Sequence, residues 1–185
     1  MPEILKATRF GNPILRQVAR KLSVDEIKSD EIQTLIENMR FTVENKKYGV
    51  GLAAPQVGES VSLSIIAIKP TPNRPNLEAF DTVIINPEIL ETYGNRSQMW
   101  EGCISCGTGK DTLFAQVPRY KKIKLRWLDE TGMRHEEILE SFVAHVAQHE
   151  TDHVNGIVFV DRVKDTRTYM MADEYKKRIV RMRKK

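Results

Sequence analysis

The pentapeptide His149-Glu150-Thr151-Asp152-His153 constrains this chain more than any other stretch. Histidines at i and i+4 fall one above the other on a single face of an α-helix, so both imidazoles can reach one divalent ion. Glu150, directly after the first, is placed to take a proton from water on that ion. The preceding residues support a helix. Across 140–148 the apolar positions recur at helical intervals, and Asn155-Gly156 is a stop signal. From the pentapeptide alone, an amphipathic helix whose histidines merely share this spacing would read the same; the rest of the chain has to separate the two.

At 185 residues the chain has the length of one domain with a good core. Its composition, 41% hydrophobic and 29% charged, is that of a soluble globular protein. No apolar run approaches a membrane span, and the opening Met1-Pro2-Glu3-Ile4-Leu5-Lys6 is not a secretory signal, so a cytoplasmic protein with no membrane contact is expected. The net charge of +4 is unevenly spread. Residues 175–185 carry seven basic and no acidic side chains, which leaves 22 basic against 25 acidic in the remainder. The basic character therefore belongs to the tail: a solvated helix end, or a contact for an anionic partner such as RNA or a ribosomal surface. Without a secretory signal, the Cys103-Ile104-Ser105-Cys106 pair reads as metal-binding or catalytic rather than as a structural disulfide.

Asn12-Pro13 marks the entry to a short helix over 14–19, and Ile32, Leu35, Ile36, Met39 and Val43 form the apolar stripe of a second helix ending near 47–49. The small residues of 49–58 mark backbone that something approaches closely, without the spacing of a phosphate loop. Strands are expected at 61–68, 82–85, 88–93 and 157–160, with a loop over 70–76. Residues 122–127 and 133–139 read as an antiparallel hairpin around Asp129-Glu130-Thr131-Gly132, with one wet face. A terminal helix is expected over 166–183. Hairpins around a few helices, without βαβ alternation, make an α+β single domain over 1–185.

A catalytic site of this type needs a third protein ligand and an open position. The long motif that continues to a third histidine fails, because Phe159 stands at that position; Glu174, the only downstream glutamate, opens a basic helix. Of the remaining candidates, His145 lies eight residues from His153, about 12 Å along a helix, and His135 sits in the polar face of the hairpin. A cysteine, 103 or 106, is the best chemical candidate, since a thiolate binds a borderline divalent ion strongly.

Three stretches together resemble the motifs of peptide deformylases: residues 49–56 (Gly-Val-Gly-Leu-Ala-Ala-Pro-Gln), 101–105 (Glu-Gly-Cys-Ile-Ser) and 148–153 (Gln-His-Glu-Thr-Asp-His), in the family's order. Residues 11–16 and 155–162 match as well, so the resemblance covers nearly the whole chain. It implies a deformylase-like α+β fold, with antiparallel sheets around a central helix carrying the His-Glu-x-x-His motif and a C-terminal helix. It implies removal of the N-formyl group from the initiator formyl-methionine of nascent polypeptides. Cys103, His149 and His153 would hold one divalent ion, Fe²⁺ in the family, with Zn²⁺, Ni²⁺ or Co²⁺ as substitutes. Glu150 would act as general base and acid, and Gln56 with the N–H of Ile104 would receive the oxyanion. Val50, Gly51, Leu52, Trp100, Gly102, Phe142, His145 and Val146 would contact substrate, with Glu101 and Arg119 steadying the cysteine strand. The basic terminal helix would be a ribosome contact.

The chain departs from the family pattern in the longer 106–116 segment, in His145 and Phe142 where relatives carry aliphatic residues, and in Trp100. These point to a narrower or more polar pocket, and to a second reading: a deformylase-like hydrolase with another N-formyl or N-acyl substrate. A closed structural zinc site of Cys103, Cys106, His149 and His153 is disfavoured by the 42 residues between its halves.

Overall fold

The computed structural model describes residues 1–45, 49–71 and 76–180. Residues 63–68, Leu-Ser-Ile-Ile-Ala-Ile, are apolar nearly throughout because the strand they form is covered on both faces. This is β2 (Leu63–Ile68), second in an antiparallel sheet ordered β1 (Gly51–Ala53), β2, β3 (Phe80–Gly102), β4 (Leu113–Leu128) and β5 (Arg134–Glu140). A sixth strand, β6 (Met170–Met171), pairs with the start of β4. Leu63 and Ile65 pack with Val83 and Ile85 beneath α2 (Asp30–Asn45), whose Ile32, Ile36, Met39 and Val43 supply the matching stripe. Each of those side chains contributes roughly 1.5–3 kcal/mol through burial. The alternate residues Ile66, Ile68 and Ile84 enter a second core with Ile123, Leu125, Ala144 and Ala147.

That second core rests on α3 (Ser141–Val154), which packs against β1 through β5. No loop separates β5 from α3: the chain turns at Ser141, which has φ 54°. At the other end Gly156 takes φ 73°, and the N–H groups of Gly156 and Ile157 return to the carbonyls of His153 and Asp152. A side chain at 156 would begin 2.7 Å from the carbonyl oxygen of Arg16, so the helix end and the N-terminal segment close on each other there. The Ala19 N–H bonded to the Val154 carbonyl completes that contact.

Several elements differ from the sequence reading. The expected strands at 82–85 and 88–93 are parts of one 23-residue strand, β3. Register shifts near Asn86, Ile89 and Gly94 break its alternation, with Asn86 at φ 51°, and hide the continuity from a period-two reading. β4 likewise starts at Leu113, well before the alternating core of the hairpin. Residues 157–160 are not a strand. Asp161 accepts from the Val158 N–H, and a 3-10 turn over Phe159–Arg162 forms in its place. The helix expected over 14–19 is a single 3-10 turn, Pro13–Arg16, capped by Asn12. The terminal helix begins later than 166: Thr166–Thr168 is a 3-10 turn capped by Asp165, β6 follows, and α4 (Ala172–Tyr175) runs on as a π-helical turn over Lys176–Val180. The end of α2 near 47, most of the 70–76 loop and residues 181–185 lie outside the described residues. Among the described residues, no helix is long and apolar enough to cross a membrane.

Candidate metal centre

Extended backbone at the end of β3 delivers Cys103 (φ −135°, ψ 138°), and α3 delivers His149 and His153 one turn apart. A ligand atom from each, the Cys103 sulfur and one nitrogen of either ring, lies within 4.8 Å of the other two. Among the described residues these three alone form such a group; His135 and Cys106 are not in it. Cys103 Sγ is 3.3 Å from His153 Nε2, and the two imidazoles stand at 81° to each other with centroids 4.9 Å apart.

The donor set suits a divalent ion. The Cys103 thiol lies well below its usual range: the Cys106 S–H donates to it, burial opposes, and the nearby histidines favour the charge. Cys106 is pushed upward by the same bond and by burial, so it remains the donor. Burial works against charge on His149, yet Cys103 and Glu101 raise its pKa well above the ordinary range. A thiolate and a carboxylate that hold a proton on a buried imidazole also offer a cation a favourable field. One thiolate with two imidazoles is a set for zinc, nickel, cobalt or ferrous iron.

Around the triad lies a layer of charge. Glu101 Oε1 accepts from Arg119 Nε at 2.7 Å and His145 Nε2 at 2.8 Å, and Oε2 accepts from Arg119 Nη2 at 3.1 Å and His149 Nδ1 at 2.7 Å. Burial resists the charge of Glu101, but these donors hold its carboxyl well below the usual range. Because that carboxylate only accepts, His149 keeps its proton on Nδ1, and Nε2 is the nitrogen that would give up its proton to bind a metal. Arg119 also donates to Asp152, and Asp152 accepts two bonds from Arg162. Pairing of opposite charges makes this burial tolerable.

A cavity of about 350 Å³ opens beside the triad. Glu150 is 3% exposed, and its Oε2 has no hydrogen-bond partner. Burial pushes its carboxyl up to about 7, and a cation nearby draws it back down. Gln56 is held by its Oε1, which accepts from the Ala53 N–H at 2.8 Å, and its Nε2 donates to Cys103 Sγ at 3.1 Å. Ile104 opens a 3-10 turn, so its N–H has no intrahelical acceptor. Both line the cavity, as do Val50, Gly51, Trp100, Gly102, Phe142, His145 and Val146. Leu52 does not: it is 1% exposed, within the core beneath α2. Alternation along β1 turns it away from Gly51.

The position of Gly51 has a cause the sequence does not disclose. A Cβ there would lie 2.3 Å from Glu150 Oε1, so the missing side chain makes room for that carboxylate. His135 is not simply solvated: it bonds Asp129 at 2.7 Å and stacks on Trp127. Glu174 pairs with Lys177 and Arg178. The sequence reading missed Asp152, Arg162 and the Cys106 donor. It also missed a cavity wall made by Phe114, Ala172, Tyr175 and Lys176. Asp152 stood inside the motif and was available as a signal; the ring contacts that bring Tyr175 to Phe114 and Trp100 leave no local pattern.

A buried glutamate beside a cysteine-histidine triad is a base and donor set of the kind that metal-dependent hydrolases use. The sequence model of the family described as "Polypeptide deformylase" matches residues 4–169. A peptide deformylase of Leptospira biflexa is 37% identical over 173 residues, covering 90% of this chain and 91% of its own. Peptide deformylase 2 of a Nostoc species is 36% identical over 181 residues, 97% of either chain. The solved structure of a class I type b peptide deformylase from Acinetobacter baumannii, with Met-Ala-Ser bound, superposes with a TM-score of 0.80 at 35% identity. It covers 88% of this chain and all of that one. This chain belongs to the polypeptide deformylase family, metal-dependent enzymes that remove the formyl group from nascent polypeptides.

Proposed function

We propose that Cys103, His149 and His153 hold one divalent ion, Fe²⁺ in the native enzyme, and that the cavity beside them hydrolyses the N-formyl group of formyl-methionyl nascent peptides. The observation that carries this assignment of roles is the convergence of the three ligand atoms within 4.8 Å, in the cavity that Glu150, Gln56 and Ile104 also line. When bound, the ion would supply Lewis-acid chemistry, making water more acidic and the formyl carbonyl more electrophilic. Glu150 takes the proton released as the C–O bond forms, and delivers it to the amine nitrogen as the C–N bond breaks, so formate leaves and a free N-terminus remains. Its buried carboxyl, raised toward neutral, suits both directions of transfer. The Gln56 amide and the Ile104 N–H donate to the oxyanion. The Ala53 N–H on Gln56 Oε1 fixes which end of that amide faces the site. Glu101, locked by Arg119 and His145, keeps the His149 ring in its ligating tautomer. The α3 helix carrying His149, Glu150 and His153 is the element around which the sheet is arranged, and residues 1–185 act as one catalytic domain.

The Acinetobacter relative holds Met-Ala-Ser, a methionine-led peptide without a formyl group, which is what such a reaction would leave. The reading places the enzyme in the cytoplasm, on N-formylated nascent chains, with the basic end of the chain against the ribosome. That last role is tested by removing residues 181–185. A cut at 175 would also remove Tyr175 and Lys176 from the cavity.

The deciding experiment measures formate release from formyl-Met-Ala by protein loaded with Fe²⁺ or Ni²⁺ without oxygen, with Glu150→Gln as control. Turnover that disappears in the variant supports the reading. Turnover that persists removes Glu150 from the mechanism, and none in metal-bound, folded protein moves the search to other N-acyl substrates, as the polar His145 in the cavity would favour.

A further inference from the structure

The wall of the active-site cavity has two origins. The part that carries the triad is built from the three family motifs. The rest includes Trp100, Gly109, Thr112 and Phe114 of the longer segment after the cysteine, and Tyr175 and Lys176. The last two lie beyond residues 4–169, the extent of the family match. Tyr175 is held there: it stacks on Phe114 with parallel rings 4.2 Å apart and meets Trp100 at 5.4 Å, while β6 ties the preceding residues to the start of β4.

Lys176 brings the one lysine or arginine among the residues that line this cavity. Its neighbours Lys177 and Arg178 are both taken by Glu174. Asp173 on its own helix, and Lys110 and Asp111 on the 3-10 turn packed against α4, form no ion pair with it. Glu101, the other charged wall residue besides Glu150, is already committed to Arg119, His145 and His149. This part of the wall thus carries three aromatic residues and an exposed lysine without an ionic partner among the described residues. Both parts line one cavity of about 350 Å³, so a peptide whose formyl group meets the triad carries its following residues along that wall.

We propose that this part of the wall is a carboxylate subsite, in which Lys176 pairs with a carboxylate on the residue after the formyl-methionine while Tyr175 and Trp100 pack along the peptide. This rests on the deformylase reading and narrows it to a substrate class. The carboxylate has two sources, the free C-terminus of a short formyl peptide or an acidic side chain of a longer one.

Four substrates separate them: formyl-Met-Ala, its C-terminal amide, formyl-Met-Asp-Ala amide and formyl-Met-Asn-Ala amide. They are assayed for formate with the Fe²⁺-loaded enzyme at low salt, and for binding to Glu150→Gln through tryptophan fluorescence. An exposed ion pair predicts about a two- to fivefold advantage for the acid over its neutral counterpart, in KM and in binding rather than in kcat. The advantage should vanish in Lys176→Ala, persist in Lys176→Arg and shrink at high salt. An advantage in the first pair assigns the free C-terminus, in the second pair the acidic side chain, and in both pairs either. Equal use of acid and neutral peptides, or an advantage that survives Lys176→Ala, overturns the subsite. Formate from none of the four overturns the deformylase reading itself, a different result from equal use.

Discussion

Replacing Gly51 with alanine should damage catalysis while leaving the metal ligands alone. Gly51 does not have a positive φ, so its backbone conformation is open to alanine. Space is what it lacks: the new methyl would stand 2.3 Å from Glu150 Oε1 and 2.7 Å from Cδ. Ordinary contact begins near 3.4 Å, so the carboxylate has to withdraw by about 1 Å or β1 has to shift, and a displacement of that size at a reacting group costs roughly a hundredfold in rate. Overpacking at the same point destabilises the fold by about 1–3 kcal/mol. The assay is formate release, with metal content and thermal unfolding measured on the same preparation. Metal content should be unchanged, because no atom of Cys103, His149 or His153 is among the three nearest that the methyl meets. Combined with Glu150→Gln, the Gly51→Ala change should add little further loss, since both act through one carboxylate. A Gly51→Ala enzyme with wild-type kcat, or one whose loss multiplies that of Glu150→Gln, would refute the argument.

Glu101→Gln should weaken metal binding about 10- to 100-fold by releasing the His149 ring, read by competition with a chelator. It should also flatten acid unfolding. The Glu101 carboxyl is held well below its ordinary 4.5, so its stabilisation is complete above that pH and is lost as pH falls toward the lowered value; an unchanged acid limb would count against this. Gly156→Ala should cost on the order of 1–3 kcal/mol in thermal unfolding, because φ 73° is strained for alanine and the Arg16 carbonyl stands 2.7 Å away. Ile36→Ala should cost about 2–5 kcal/mol in denaturant unfolding with kcat intact, since it faces the α2 core and not the cavity; a fall in kcat at full folding would contradict that separation.

The helix half of the candidate centre was legible because it is written in a short local pattern, i and i+4 histidines on one helix with a glutamate between them; the residues alone left Cys103 and Cys106 open, and the resemblance chose the cysteine that the structure brings beside those histidines. The stripe of α2 and the hairpin of β4 and β5 were legible for the same reason, each having one regular period. Legibility failed where long-range pairing overrides local pattern. β3 was read as two short strands because bulges shift its faces, and the stretch after Tyr93, Gly-Asn-Arg-Ser-Gln, looks like a loop until β4 pairs with it. The strand expected over 157–160 was overruled by Asp161 bonding back to Val158. Leu52 was expected in the cavity, although alternation on β1 cannot bring it to the same face as Gly51. The wall of Tyr175 and Lys176 depends on ring stacking with residues some sixty positions earlier, which no window along the sequence contains.

The long third strand has a further consequence. Glu101 and Cys103 are two residues apart on extended backbone, so they project to the same side with a fixed spacing. In the proposed centre one would be a ligand and the other, bonded to His149 Nδ1 at 2.7 Å, would aim a ligand on the helix opposite, which makes the strand a ruler laid between two parts of one instrument. A slip of one residue against β4 would turn both away together, leaving no half-formed centre. The irregularities at Asn86, Ile89 and Gly94, remote from the metal, set where that ruler begins. An inserted or deleted residue among them is an error of calibration, and it would be read at the far end as the loss of metal from an otherwise folded sheet.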